Sequence, residues 1–110
     1  MEIPEIDVDE LARRHQQGSL VIDVRQPDEY EEGHVPGARL IPLGEVTSRV
    51  DEVPTDVPVL VICRTGGRSL KAAEFLRASG RDATNVAGGT LAWIESGRKI
   101  ARGGEPESQT

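Results

Sequence analysis

The sequence contains a single cysteine, and the residues around it are those that make a thiol reactive. Cys63 follows a short apolar run, residues 59–62, and begins the segment Cys63-Arg64-Thr65-Gly66-Gly67-Arg68-Ser69. A helix N-terminus with cations nearby can lower the pKa of a thiol from about 8.5 to roughly 3.5–7.5. A lone cysteine after a buried strand is more often an inert core residue, but the glycines and arginines favour a nucleophilic thiolate at Cys63.

The two glycines of this loop predict an anion-binding backbone. Gly66 and Gly67 allow the chain to curl so that several N–H groups point at one position. We expect a helix to begin just after them, and its dipole adds to the attraction for negative charge. The loop is therefore suited to stabilise a thiolate, and equally a persulfide, at its centre.

Four side chains of the same loop add groups that bind anions. Arg64 and Arg68 supply positive charge and forked donors for anionic oxygen atoms. Thr65 and Ser69 supply hydroxyl donors. We therefore predict that the loop binds a small anionic substrate beside Cys63.

Short apolar runs alternate with helix-like stretches along the chain, which is typical of an α/β fold with parallel strands. We expect strands over residues 3–6, 20–24, 39–42, 59–62 and 84–86. We expect helices over residues 10–17, 27–33, 44–50, 69–79 and 89–97. The strand before Cys63 should be central, and ligands of such sheets bind beyond the carboxyl ends of the strands.

Composition limits the classes of protein to consider. The 110 residues predict one domain over residues 1–100 and a frayed tail over residues 101–110, which is rich in glycine and polar residues. A net charge of -6 argues against nucleic-acid binding. The longest apolar run, residues 58–62, is far shorter than the roughly 18 residues that cross a membrane.

The cysteine count and the chain start bear on the setting of the protein. One cysteine cannot form an internal disulfide, and the first residues lack the pattern of a secretory signal, so we expect a reducing, cytoplasmic environment. The two histidines and the cysteine have no metal-ligand spacing, so we predict no metal and no cofactor. Nothing in the apolar pattern indicates a dimer interface, and we expect a monomer.

Several further motifs, taken together with the loop, resemble one family over nearly the whole chain. They are Asp23-Val24-Arg25, Glu29-Tyr30, Gly33-His34-Val35-Pro36-Gly37-Ala38, Gly88-Gly89 and Ala92-Trp93. In this order and spacing they resemble the single-domain rhodanese-like sulfurtransferases. The resemblance implies a three-layer α/β fold with a five-stranded parallel sheet flanked by helices on both faces. It also implies that Cys63 is catalytic and carries sulfur as a persulfide.

The resemblance implies a partner class as well as a reaction. The expected partners are a small-molecule sulfur donor such as thiosulfate and a thiophilic acceptor, either cyanide or a thiol. The alternative is a protein sulfur relay or a binding module without free thiosulfate as the physiological donor. A pure binding module would more naturally lack Cys63, but an enzyme and a relay share every loop residue, so the sequence leaves both open.

Loop length separates this family from cysteine phosphatases of similar fold. Those enzymes use Cys-x5-Arg, whereas here four residues separate Cys63 from Arg68. Ser69 occupies the position where a phosphatase would need its arginine. The shorter loop favours transfer of a single sulfur over phosphatase or arsenate reductase activity.

The remaining charged residues and histidines near the motifs have structural interpretations. We expect Asp23 to hold the backbone of a neighbouring loop and Arg25 to pair with Glu29. We expect His34 to make a hydrogen bond that stabilises its turn, and His15 to face solvent from a helix. The acidic residues of the second helix are expected to form a solvated face, with a docking surface for a basic partner as the alternative.

Overall fold

In a computed structural model of the protein, residues 2–104 are described, and they contain five β-strands and four α-helices. The strands are β1 (Glu5–Ile6), β2 (Leu20–Asp23), β3 (Arg39–Leu40), β4 (Val59–Ile62) and β5 (Ala83–Val86). The helices are α1 (Val8–Gln16), α2 (Pro27–Glu32), α3 (Gly67–Ala78) and α4 (Gly89–Glu95). The predicted alternation of strands and helices is confirmed.

The strands form one parallel sheet in the order β1-β5-β4-β2-β3. β4 lies at the centre, where Val61 is in register with Ile22 on one side and with Asn85 on the other. The five-stranded parallel sheet and the central position of the strand before Cys63 are therefore confirmed. Because the strands are parallel, their carboxyl ends share one edge of the sheet, and Cys63 follows β4 at that edge.

Side chains of β4 alternate between two apolar clusters, which explains why the whole strand is apolar. Val59 and Val61 belong to the cluster that includes Leu76 of α3. Leu60 and Ile62 point to the opposite face and belong to the cluster that includes residues of α1, α2 and α4. Since alternate strand residues point to opposite faces, the two clusters define helical layers on both sides of the sheet. The three-layer architecture is thus confirmed.

The helix ends follow local chemistry. The Asp7 side chain caps the N-terminus of α1, because its Oδ1 accepts a hydrogen bond from the backbone N–H of Glu10 at 2.9 Å. Pro27 occupies the start of α2, where its missing N–H costs nothing. Gly66 has φ +118° and turns the chain so that α3 begins at Gly67, slightly earlier than predicted.

One predicted helix, residues 44–50, is wrong. This part of the chain forms two short 3₁₀ turns instead, Leu43–Glu45 and Val50–Glu52. Its backbone is held by other elements: Leu43 N–H donates to Val24 O, and the Arg81 side chain donates to the carbonyl oxygens of Val50 and Val53. These tertiary hydrogen bonds fix the two ends of the segment.

The chain remains attached to the domain after α4. Ala101 N–H donates to His34 O at 2.8 Å, and Gly103 N–H donates to Glu31 O at 2.8 Å. The first residues of the predicted frayed tail are therefore hydrogen-bonded to the domain, and residues 105–110 of that prediction lie outside the described residues. Within residues 2–104, every helix is too short or too polar to cross a membrane.

The two histidines differ in how they match the predictions. His34 is buried, and its Nδ1 lies 2.7 Å from Tyr30 O, so the predicted turn-stabilising hydrogen bond is confirmed. His15 is half-buried rather than solvent-facing, because its Nε2 lies 2.6 Å from Pro36 O and its ring meets Trp93 edge-on. That second prediction is wrong, since the loop 34–38 and α4 cover this side of α1.

Candidate active site

The loop that follows β4 surrounds the Cys63 side chain. Cys63 lies at the carboxyl end of the central strand and is 1% exposed. Its Sγ accepts hydrogen bonds from Gly66 N–H at 3.1 Å and from the Ser69 hydroxyl at 3.2 Å. The turn at Gly66 brings that N–H back over the sulfur, as the glycine pattern predicted.

The loop lowers the pKa of Cys63 below its ordinary value. Burial acts in the opposite direction and raises the pKa of the Cys63 thiol, because it disfavours the charged form. Hydrogen bonds from the Ser69 hydroxyl and from the backbone N–H groups of Ser69, Gly66 and Thr65 outweigh it and lower the pKa. The site therefore favours a thiolate through donors aimed at the sulfur.

Ser69 is positioned by a polar chain that crosses the sheet edge. Its hydroxyl lies 2.6 Å from Asn85 Oδ1 in β5, and Asn85 Nδ2 donates to Glu5 Oε2 at 2.8 Å and to Gly66 O at 3.2 Å. These two donations fix which end of the amide faces Ser69. Asn85 was not among the predicted site residues, although an amide within a buried strand is a signal for such a role. The role of Glu5, distant in sequence, had no such signal.

The Gly88-Gly89 motif allows α4 to approach the loop closely. Thr90 N–H donates to Cys63 O at 2.8 Å, and Leu91 N–H donates to Arg64 O at 3.0 Å. Gly89 has φ +60°, and a Cβ at this position would overlap the carbonyl groups of Cys63 and Arg64. Glycine is therefore required here both by backbone conformation and by space.

The two loop arginines have different environments. Arg68 makes a two-pronged ion pair with Glu29 of α2, with Nη1 to Oε1 at 2.8 Å and Nη2 to Oε2 at 2.9 Å. The hydrogen bond from Arg68 lowers the pKa of Glu29 to about 2. Arg64 is exposed and forms no ion pair within the described part of the chain. Of the two cations predicted to face a substrate, only Arg64 is unpaired.

The predicted pair between Arg25 and Glu29 is wrong. Arg25 pairs instead with Asp23, with Nη2 to Oδ2 at 2.8 Å and Nε to Oδ1 at 2.9 Å, and it also donates to Gly33 O. Asp23 was expected to hold the backbone of a neighbouring loop, but its Oδ1 accepts from the backbone N–H of Arg25, two residues further along the chain. Both side chains are almost fully buried, so each charge needs the other.

A cleft of about 370 Å³ opens beside the loop. The residues that line it are Arg25, Glu29, Glu32, Gly33, Arg64, Thr90, Leu91 and Ile94. The Thr90 hydroxyl is buried and has no hydrogen-bond partner among the described residues.

The remaining predicted loop residues lie at its outer side and at the start of the helix. Thr65 is exposed, and Gly67 is the first residue of α3. In residues 2–104, no group of three or more His, Cys, Asp or Glu could hold a metal ion.

Comparison with known proteins identifies the family. The sequence model of the "Rhodanese-like domain" matches residues 7–96. The chain belongs to the rhodanese-like family. This agrees with the parallel sheet and with the cysteine loop at its carboxyl edge.

Relatives of this rhodanese-like chain include a named sulfurtransferase. A "Sulfurtransferase" of Allochromatium vinosum is 34% identical over 101 residues, which cover 89% of this chain and 94% of that protein. An uncharacterized Bacillus subtilis protein, YqhL, is 45% identical over 74 residues, 66% of this chain and 59% of the relative. This chain thus matches about three fifths of the length of YqhL. The family and the named relative support sulfur transfer in general.

Solved structures show the same rhodanese-like fold. A rhodanese-like domain protein from Staphylococcus aureus has a TM-score of 0.79 and 33% identity, covering 83% of this chain and 91% of that one. A rhodanese-related protein from Thermoplasma volcanium has a TM-score of 0.83 and 32% identity, covering 89% of this chain and 97% of that one. The likeness extends over most of each chain.

Proposed function

We propose that this protein is a sulfurtransferase that moves a sulfane sulfur through a persulfide on Cys63. The observation that carries the proposal is that the buried Sγ accepts hydrogen bonds from Gly66 N–H and the Ser69 hydroxyl. Such preorganised donors stabilise negative charge on sulfur without reorganisation during the reaction. They serve a thiolate before transfer and a persulfide after it.

In the first half-reaction, the Cys63 thiolate attacks the outer sulfur of a donor such as thiosulfate. A bond forms between Sγ and that sulfur, the sulfur–sulfur bond of thiosulfate breaks, and its electron pair leaves with sulfite. The negative charge of the thiolate passes to the terminal sulfur of the persulfide. Arg64, Thr65, Gly66, Gly67 and Ser69 of the loop bind the substrate in this step. The Gly66 N–H and the Ser69 hydroxyl lie closest to Sγ, whereas Arg68 is held by Glu29.

In the second half-reaction, an acceptor attacks the terminal sulfur of the persulfide. Cyanide forms a carbon–sulfur bond and leaves as thiocyanate, while the electron pair of the broken sulfur–sulfur bond returns to Sγ as the thiolate. A thiol acceptor would leave as a persulfide in the same way. This is ping-pong covalent catalysis with Cys63 as the catalytic nucleophile.

Two features of the loop support sulfur transfer over phosphoryl transfer. Ser69, in the position where a cysteine phosphatase of similar fold needs its arginine, has its hydroxyl at 3.2 Å from Sγ. Both carboxylate oxygens of Glu29 accept hydrogen bonds from Arg68. Position 69 therefore places a hydroxyl beside Sγ, where a phosphatase of this kind would place a guanidinium.

A protein sulfur relay is the second candidate, and the pairing of Arg68 favours it. With Arg68 neutralised by Glu29, Arg64 is the loop cation that forms no ion pair within residues 2–104 and is left for a free dianion such as thiosulfate. A sulfur delivered by another protein needs no such cation, because contacts outside the loop can position it. Both candidates pass through the same persulfide on Cys63.

Steady-state formation of thiocyanate from thiosulfate and cyanide tests the proposal, with a cysteine-persulfide donor in a parallel assay. We expect turnover by the natural sequence with at least one donor and loss of that turnover in Cys63→Ser. The variant Ser48→Ala, at an exposed site on the 43–52 segment, is the matched control and should retain turnover. Unchanged turnover in Cys63→Ser would overturn the proposal.

A further inference from the structure

We propose that Glu29 is a donor-specificity residue: by pairing with Arg68 it withholds a cation from the Cys63 loop, so that the site favours an alkyl persulfide over dianionic thiosulfate. The inference rests on the proposed function and names the class of donor for the same site. Its basis is the charge and the surface of the cleft beside the loop.

The Glu29 carboxylate accepts hydrogen bonds from two partners, Arg68 and the backbone of α2. Both carboxylate oxygens accept from Arg68, and Oε1 also accepts from Gln26 N–H at 3.0 Å in the first turn of α2. The hydrogen bond from Arg68 lowers the pKa of Glu29 to about 2, so the carboxylate is ionised near neutral pH. Near neutral pH, the two-pronged contact with Glu29 therefore balances the charge of Arg68.

The other charges around the cleft are balanced as well. Arg25 is paired with Asp23 in the interior, and both lie below a tenth exposed. Arg64 is unpaired, but Glu32 lines the same cleft and also has no ion pair within residues 2–104. A doubly charged donor that approaches the Cys63 thiolate therefore meets a nearly neutral wall. Removal of the Glu29 carboxylate would leave the positive charge of Arg68 unbalanced in the loop.

The uncharged part of the cleft suits an organic donor. Leu91 and Ile94 line it and are 36% and 44% exposed, so an alkyl group bound there would cover apolar surface. Thiosulfate has no apolar part to use these contacts.

Transfer from an alkyl persulfide balances without further reactants. The Cys63 thiolate attacks the outer sulfur, a bond forms between Sγ and that sulfur, and the sulfur–sulfur bond of the donor breaks. The electron pair leaves on the inner sulfur as an alkyl thiolate, and the proton of the outer sulfur stays on the new Cys63 persulfide. The product is then the same enzyme persulfide that thiosulfate would form.

Glu29→Gln tests the inference, because glutamine keeps an oxygen that can accept from Gln26 N–H but removes the charge that binds Arg68. We measure KM and kcat for thiosulfate and for cysteine persulfide, with cyanide as acceptor. The expected KM for thiosulfate falls about tenfold, the effect of one added charge-assisted hydrogen bond, and added salt removes the gain. The KM for cysteine persulfide should fall by a smaller factor, since the carboxylate of this donor is balanced by its own ammonium group, whereas thiosulfate brings two uncompensated negative charges.

Asp28→Asn is the matched control, since Asp28 is an exposed carboxylate of the same helix outside the cleft, and both KM values should stay unchanged. Leu91→Ala tests the apolar part of the cleft and should raise the KM for cysteine persulfide about threefold, a larger factor than for thiosulfate. An unchanged or raised KM for thiosulfate in Glu29→Gln would overturn the inference while the proposed function stands. Absence of transfer by the natural sequence from both donors would overturn the proposed function and the inference with it.

Discussion

The Ser69 hydroxyl oxygen lies 3.2 Å from Cys63 Sγ and 2.6 Å from Asn85 Oδ1. One hydroxyl has one proton to donate, so the two acceptors share it. With Cys63 protonated, the thiol can donate to Ser69 while Ser69 donates to Asn85. With Cys63 ionised, the hydroxyl can turn toward the sulfur. Ser69 therefore links the protonation state of the Cys63 thiol to the hydrogen bonds of the polar chain through Asn85 to Glu5.

Ser69→Ala should raise the pKa of Cys63, because it removes a hydrogen bond that lowers the pKa while burial, which raises it, remains. In the natural protein the pKa lies below the ordinary value, so alkylation by iodoacetamide should reach its plateau at lower pH than for a free cysteine. The curve for Ser69→Ala should shift to higher pH, with the rate near neutral pH falling about tenfold. Ser48→Ala should follow the natural curve, and a matching curve for Ser69→Ala would show that its hydroxyl does not act on the sulfur.

Gly89→Ala should destabilise the fold and displace the Cys63 loop. The added Cβ would overlap the Cys63 and Arg64 carbonyl groups, and the left-handed φ of +60° disfavours alanine. Urea denaturation should show a loss of about 2 kcal/mol or more in the free energy of unfolding, with sulfur transfer also reduced. Gly44→Ala, where a Cβ meets nothing within 4 Å, should change neither quantity by a comparable amount. Equal stabilities of the two variants would contradict the required close approach.

Asp23→Asn should cost about 3 kcal/mol of stability, because it leaves the buried charge of Arg25 without its partner. The same change should loosen the contact of Arg25 with Gly33 O, which joins the loop after β2 to the end of α2. Urea denaturation of Asp23→Asn and of Asp51→Asn, at an exposed carboxylate, provides the comparison. A loss below about 1 kcal/mol would mean that Arg25 finds another partner or reaches solvent.

Local patterns in the sequence were sufficient for the sheet and for the nucleophile. The apolar run before Cys63 and the glycines after it predicted a central strand, a tight turn and sulfur at the sheet edge, because each depends on neighbouring residues. The partners of charged residues were not predictable in this way. Arg25 and Arg68 could each reach several carboxylates, and only the packing of α2 against the loop determines that Glu29 meets Arg68.

The segment 44–50 illustrates a second limit. Its composition allows a helix, but the carbonyl groups of Val50 and Val53 are bound by Arg81, which is 31 and 28 residues away in sequence. Long-range hydrogen bonds of this kind fix where the segment ends, and tertiary context can override local helix propensity. The Asn85 contact with Glu5 has the same origin, since the pairing of β1 with β5 brings the two together.

Mass spectrometry of the intact chain under non-reducing conditions tests the persulfide most directly. After incubation with thiosulfate or cysteine persulfide, we predict a species one sulfur atom heavier, with the added mass on the peptide that contains Cys63 and removed by cyanide. Cys63→Ser should stay at its starting mass. A chain that keeps a bare Cys63 thiol after exposure to both donors would contradict sulfur carriage by this site.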